Sequence, residues 1–139
     1  METIAGILVN GVLLPQLNYL ERKQLPELAG VYIIYWQSEI LYVGEALNIN
    51  RRHIGNSHQV GWDTARMKIR ERQQFIAYYL CNQPLNVGAW LKTYETKLIE
   101  ILKPSLNKRV VKKGLLEVPS NFTVQLLMIE QTNEQVATI

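Results

Sequence analysis

A single stretch, residues 30–52, constrains the fold of this chain more than any other; its sequence is GVYIIYWQSEILYVGEALNINRR. The first two thirds are rich in β-branched and aromatic residues, which favour strands. We therefore predict strands over 31–36 and 40–43, the second ending at Gly44. A helix should begin near Asn48, because asparagine is a favourable N-cap residue.

Two tyrosines lie on these predicted strands, at Tyr32 and Tyr42. Side chains alternate between the two faces of a sheet, so the length of the connecting loop decides whether the tyrosines share a face. An odd loop such as 37–39 places both on one face, whereas a two-residue loop separates them. A site shared by both tyrosines therefore requires the odd loop. Arg52 would lie one turn into the following helix, close to Tyr42, and such a group of side chains suits a phosphate.

The longest periodic segment is 87–102, where apolar residues recur at spacings of three and four and predict an amphipathic helix. Glu95 falls within its apolar stripe, whereas Glu100 lies among polar neighbours and is interpreted as solvated. A carboxylate that faces a core is costly unless a cation or a hydrogen-bond donor meets it. Glu95 is therefore a candidate functional residue, the alternative being a buried glutamate paired with an arginine.

The remaining segments predict further elements of an α+β chain. Asn10 and Gly11, between apolar runs, indicate a tight hairpin turn. The other expected elements are a short helix or irregular link over 17–28, a short helix over 61–73, and strands over 75–80 and 122–130. We expect a single domain over 1–139, with a core over 30–107 and flanking additions over 1–29 and 108–139.

Positive charge is concentrated in the middle of the chain. The net charge is +3, yet 13 of the 15 Lys and Arg residues lie between Arg51 and Lys113, against four acidic residues. This segment therefore carries +9 and the rest −6. Clustered cations favour a polyanionic partner, although a solvated basic face is the alternative. The residues expected to contact a nucleic-acid backbone are Arg51, His53, Arg66, Lys68, Arg70 and Lys103.

Cysteine usage and hydropathy indicate an intracellular protein. The only cysteine, Cys81, excludes an intrachain disulfide and lies in an apolar run, as a core cysteine would. The N-terminal region has no basic leader, and no apolar run approaches the length that spans a membrane. We therefore expect a cytoplasmic location and no membrane partner.

Two motifs resemble those of a known nuclease family. The triplet Gly-Val-Tyr32, the triplet Tyr42-Val-Gly, Arg52 and the later run from Glu95 through Lys-Pro to Asn107 resemble the GIY-YIG nucleases. The resemblance covers 30–107. It implies an α+β fold, a small three-stranded antiparallel sheet flanked by helices, to which the N-terminal hairpin and the C-terminal strand would be additions. It also implies a metal-dependent endonuclease that hydrolyses phosphodiester bonds in DNA.

The resemblance implies a role for each site residue. Glu95 would be the ligand of one divalent cation, Mg²⁺ or Mn²⁺, and Arg52 would bind phosphate oxygens. Tyr32 and Tyr42 would hold the attacking water, one of them acting as a general base with a lowered pKa; the motifs do not distinguish which. Asn107 would orient a side chain or a water molecule, its alternative being an ordinary turn residue after the proline.

Two positions depart from the family pattern and leave other functions open. Glu45 stands where relatives have lysine or a small polar residue, and its carboxylate would repel phosphate or add a metal ligand. Asn56 stands where relatives have histidine or tyrosine; His53 or His58 would substitute only if the helix breaks at Gly55, and a lone surface histidine is the simpler interpretation. The alternatives are a catalytically impaired DNA-binding module and a protein-interaction domain.

Overall fold

The structure is a computed structural model that describes residues 2–54, 74–107 and 113–130. In this part of the chain the fold is α+β, with antiparallel sheets and few helices. The strands are β1 Glu2–Val9, β2 Val12–Leu13, β3 Gln16–Asn18, β4 Gly30–Trp36, β5 Glu39–Ala46, β6 Phe75–Leu80 and β7 Val124–Glu130. The helices are a 3₁₀ helix at Tyr19–Gln24, α1 at Ile49–His53 and α2 at Val87–Leu102. No helix of the described residues is long and apolar enough to cross a membrane.

Seven strands form two sheets in the described residues, one of four strands in the order β3-β6-β4-β5 and one in the order β2-β1-β7. The sequence predicted only three strands for the first sheet. The fourth is β3, in a region read as a short helix or irregular link, where Leu17 pairs with Ile76. The 3₁₀ helix follows at once, because the Asn18 side chain caps it by accepting a hydrogen bond from the Glu21 amide at 3.1 Å.

The predicted N-terminal hairpin is confirmed. Asn10 and Gly11 connect β1 to β2 with φ values of 52° and 77°, the left-handed conformation that tight hairpin turns require. The predicted C-terminal strand is also present as β7. Its partner was not predicted: β7 pairs antiparallel with β1, from Val9–Val124 to Glu2–Glu130.

A β-bulge brings the two site tyrosines onto one face. The turn between β4 and β5 has two residues, since Trp36 pairs with Glu39, so the condition that a shared site requires an odd loop is wrong. The register then shifts, because Leu41 is an extra residue on β5, and Tyr42 pairs with Ile34. Paired residues share a face, as do residues two apart, so Tyr42 lies on the face of Tyr32. The extra residue of the bulge shifts the side-chain alternation by one position, as an odd-length loop would have done.

The four-stranded sheet separates two apolar clusters. One face carries Val31, Ile33 and Val43, which pack with α2 and the β1–β7 sheet. The other face, with Tyr32 and Ile34, packs against Ile49 of α1 and the segment that precedes β4. The predictions for the strand over 75–80 and the helix over 87–102 are confirmed. The helix expected over 61–73 lies outside the described residues.

Candidate functional site

Tyr32 lies across the edge strand β5, over a glycine. Its side chain is 0% exposed, and a methyl group at Gly44 would overlap the Tyr32 hydroxyl. Gly44 does not end the strand, as the sequence predicted; β5 continues to Ala46. The missing Cβ of Gly44 is what lets the Tyr32 ring cross the strand and deliver its hydroxyl to the outer edge of the sheet.

Arg52 meets Tyr32 from helix α1. The helix begins as predicted at the N-cap Asn48, whose side chain accepts a hydrogen bond from the Arg51 amide at 2.9 Å. Asn50 ties the helix to the preceding segment by donating to the carbonyls of Lys23 and Leu25 at 2.9 and 2.8 Å. The exposed Arg52 guanidinium donates a hydrogen bond to the Tyr32 oxygen. The orientation of the arginine is thus fixed at both its backbone and its side chain.

The charges around Tyr32 show which groups converge there. Burial, above all, and the neighbouring Tyr42 raise the pKa of Tyr32 well above the ordinary tyrosine value. The hydrogen bond and the positive charge of Arg52 oppose this rise, and Glu95 adds to it. The Tyr32 and Tyr42 ring centroids are 6.2 Å apart. Arg52 therefore contacts the Tyr32 hydroxyl, Tyr42 lies near its ring, and the charge of Glu95 acts on it; the hydroxyl stays protonated at neutral pH.

Glu95 lies on α2, is 9% exposed, and its negative charge contributes to the raised pKa of Tyr32. The sequence expectation that it faces the interior is confirmed. No group of three or more His, Cys, Asp or Glu side chains is placed to hold a metal ion among the described residues. One buried carboxylate beside an arginine and two phenols nevertheless fits Mg²⁺ or Mn²⁺, which keep several waters and take phosphate oxygens as further ligands.

Asn107 is engaged with the backbone of β5. Its side-chain oxygen accepts a hydrogen bond from the Val43 amide at 2.8 Å, and its side-chain nitrogen donates to the Val43 carbonyl at 2.8 Å. Leu106 continues this pairing through its amide, which donates to the Leu41 carbonyl at 2.8 Å. Asn107 therefore holds the edge of the strand next to Tyr42, and it acts on the site through that strand.

His53 is buried, which corrects the sequence-based expectations for it. Its side chain is 2% exposed and packs edge-on against Tyr32, with ring centroids 4.4 Å apart. A buried ring cannot contact a DNA backbone, so the interpretations as a DNA-binding residue and as a lone surface histidine are both wrong. Successive side chains of α1 diverge: the His53 ring packs beneath Tyr32 while its neighbour Arg52 stays exposed.

A cleft opens beside Arg52 where β5 passes into α1. Glu45, Leu47, Arg51, Arg52 and Leu91 are among the residues that line it, and its volume is about 560 Å³. The departure at Glu45 therefore puts a carboxylate in the same cleft as two guanidinium groups.

Of the other expected DNA contacts, only Lys103 can be compared with this cleft, and it does not line it. Lys103 is exposed at the end of α2, twelve residues and roughly 18 Å of helix from Leu91. The remaining positions lie outside the described residues: Arg66, Lys68, Arg70, Asn56 and His58. Sequence reasoning missed Asn50 and Leu47. Asn50 gave no signal because an asparagine just after a helix N-cap is not distinctive. Leu47 looks in the sequence like an ordinary surface leucine.

Comparisons with solved structures give a distant similarity. No family model matches this sequence, and no curated protein matches it. The structure is similar to the GIY-YIG N-terminal endonuclease domain of UvrC from Thermotoga maritima, bound to its catalytic divalent cation, magnesium. The TM-score is 0.47 at 17% identity, over 64% of this chain and 93% of that one. Two point mutants of the same domain, each bound to its catalytic divalent cation, give TM-scores of 0.47 at 17% and 18% identity, over 65% of this chain and 93% of theirs.

Proposed function

We propose that this chain is a metal-dependent DNA endonuclease whose active site comprises Tyr32, Tyr42, Arg52 and Glu95. The observation that carries the proposal is the Tyr32 hydroxyl, which passes over Gly44 to Arg52 and is also affected by the charge of Glu95. A permanent cation beside a buried carboxylate and neutral hydroxyls is a composition suited to a phosphodiester. The basic middle of the chain supports a polyanionic substrate.

Phosphodiester hydrolysis requires an activated water, neutralised charge on the phosphoryl oxygens and help for the leaving oxygen. Arg52 would bind the phosphoryl oxygens, since its guanidinium is exposed while Tyr32 fixes its orientation. A divalent cation held by Glu95 would supply further positive charge there when bound. Tyr32 accepts a hydrogen bond from Arg52 and, as a neutral phenol, keeps its own proton.

Burial supports assigning the general base to Tyr42. A phenol serves as a base only if its pKa is lowered, and burial raises the pKa of Tyr32. The half-buried Tyr42 lies on the same face and is the remaining phenol of the pair. In this assignment Tyr32 positions Arg52, Tyr42 takes the proton of the attacking water, and Asn107 holds the strand that carries Tyr42.

The decisive experiment is a nicking assay on supercoiled plasmid and on branched DNA, with and without Mg²⁺ or Mn²⁺. Glu95→Ala should abolish metal-dependent nicking, whereas Glu100→Ala should retain it, because Glu100 is exposed on the same helix. Arg52→Ala should lower the cleavage rate by about 100-fold or more. Folding of each variant is checked by circular dichroism. Nicking that survives in folded Glu95→Ala would refute the assignment.

A catalytically impaired DNA-binding module is the second candidate, and Glu45 favours it. Its carboxylate lines the arginine cleft and weakens the attraction of that cleft for phosphate. This alternative predicts salt-sensitive DNA binding without metal-dependent nicking. The same assay, run beside a binding titration, separates the two candidates. We further propose that 30–107 is the functional core of a single domain.

A further inference from the structure

The cleft beside Arg52 has a cationic part and an apolar part, so it can bind a phosphate together with an apolar group. One part is cationic, formed by Arg51 and Arg52, and another is apolar, formed by Leu47 and Leu91. Leu47 is 74% exposed, although it lies beside the two arginines in the loop between β5 and α1. Single exposed leucines are common on protein surfaces, but this one forms a wall of a cleft together with the buried Leu91.

Glu45 limits what the cationic part can bind. A groove that follows a continuous nucleic-acid backbone is positive along its length, because every phosphate in it carries a charge. Here Glu45 is among the residues that line the same space as the two arginines, and its negative charge disfavours a second phosphate. The cleft is therefore suited to one phosphate together with an uncharged, flat, largely apolar group. A nucleobase attached to its own phosphate has this composition.

We propose that the cleft binds one unstacked nucleotide of the DNA, its phosphate on Arg51 and its base against the exposed Leu47. The proposal rests on the proposed function and specifies its substrate: DNA with an unpaired nucleotide next to the phosphate that Arg52 binds. The volume of about 560 Å³ falls within the range of small-ligand sites. Apolar side chains of this kind insert between bases in other DNA complexes. Continuous duplex would bind less tightly, since an unstacking cost must be met first.

The test compares the affinities of the full chain for three DNA duplexes of the same length in Ca²⁺, by fluorescence anisotropy. One duplex is continuous, one has a single bulged nucleotide, and one has an abasic site at the bulge. We expect the protein to bind the bulged duplex about tenfold more tightly than the continuous one. The abasic bulge keeps the backbone distortion but lacks the base, so it should lose this preference. Equal affinity for the two bulges would overturn the proposal, because the protein would then recognise the bend alone.

Two leucine variants locate the effect. Leu47→Ala should reduce the preference for the bulged duplex to about twofold or less, and Leu127→Ala, an exposed leucine on β7, should leave it unchanged. A preference that persists in Leu47→Ala would overturn the proposal. Binding to both duplexes without any preference would also overturn it while leaving the proposed function intact. Failure to bind any of the three duplexes at low salt would instead refute the proposed function.

Discussion

Tyr32 is a buried residue whose hydroxyl makes a hydrogen bond. Its ring is enclosed by Gly44 and His53, yet its oxygen accepts a hydrogen bond from an exposed arginine. Burial raises the pKa of this phenol because the phenolate would lose its hydration. The hydroxyl therefore remains a neutral donor and acceptor throughout the pH range in which nucleases are assayed.

The two tyrosines should differ when each is changed to phenylalanine. Tyr42→Phe removes the proposed base and should lower the cleavage rate by about 100-fold or more, without affecting folding. Tyr32→Phe should reduce the rate less and raise the KM for DNA, since it frees Arg52 from its fixed orientation. Single-turnover and steady-state cleavage of a defined duplex would measure both. A larger rate loss in Tyr32→Phe would reverse the assignment of the base.

Tyr32 should also make the fold sensitive to alkali. Its pKa is raised in the folded chain, whereas the unfolded chain releases the same proton near pH 10. The contribution to stability is thus complete below about pH 10 and declines as the pH rises further. Above pH 10, Tyr32 should make the unfolding free energy of the unsubstituted chain fall by up to about 1.4 kcal/mol per pH unit. Tyr32→Phe should remove this part of the fall. Urea unfolding at a series of pH values would measure the slope, and an unchanged slope would contradict the prediction.

At the scale of elements, β5 connects the parts of the site. It carries Tyr42 after a bulge, leaves room for Tyr32 at Gly44 and ends beside the cleft at Glu45. Its inner side pairs with β4, and its outer side is held by Asn107 and the backbone of Leu106. The geometry of the site therefore depends on the register and rigidity of this one strand.

Gly44→Ala should disturb the site through sterics alone. The added methyl would overlap the Tyr32 hydroxyl, so we expect a loss of about 1–3 kcal/mol in unfolding free energy and a large loss of cleavage. Gly88→Ala is the matched control. Apart from the backbone of α2 and the adjacent residues, no atom of the described residues lies within 4 Å of a methyl at Gly88 in α2, so this change should be neutral or stabilising by up to about 1 kcal/mol. Equal stability of the two variants in urea would contradict this account.

Asn107→Ala should loosen the edge of β5. Two hydrogen bonds to Val43 are lost, at an expected cost of about 1–2 kcal/mol. Hydrogen exchange of the Val43 amide should become faster, while amides in β6 on the other side of the sheet should be unaffected. A residue acting only in the chemical step would leave the exchange at Val43 unchanged, so this measurement separates the two roles.

The sequence predicted some of these elements and not others, for physical reasons. Periodicity identifies α2 and the inward direction of Glu95, because both depend on local spacing. The sequence predicted that Tyr32 and Tyr42 share a sheet face only if the loop between their strands is odd. It could not predict the bulge, because a bulge has no signature in the amino-acid composition. The pairing of β3 and the burial of His53 depend on partners far along the chain. Such contacts are set by tertiary packing, which local propensity does not report.

At the scale of the whole molecule, the start of the basic segment and the exposed apolar residues of β7 lie in different parts of the fold. The basic segment begins at Arg51, at the cleft, whereas β7 exposes Leu127 and Ile129 on the second sheet. Under the proposed function the DNA-binding surface includes α1, and binding should depend on salt through counterion release.

Arg51 allows this salt dependence to be measured at one residue. Arg51→Ala should reduce the slope of log Kd against log salt concentration by about 1, because one phosphate contact is lost. Arg51→Lys keeps the charge and should retain the slope. Anisotropy titrations between low and physiological salt would determine both values. An unchanged slope in Arg51→Ala would show that this guanidinium contacts no phosphate.

The pairing of β1 with β7 has a consequence for biosynthesis. Val9 pairs with Val124, so β1 leaves the ribosome 115 residues (124 − 9) before its partner does. At bacterial elongation rates this interval is roughly ten seconds. Strands β3 to β6 can assemble in that time, whereas Ile4 and Ile7 of β1, which are buried in the finished fold, await the last strand. The nascent chain therefore exposes the apolar residues of β1 to chaperones, and to neighbouring nascent chains, until β7 has been synthesised.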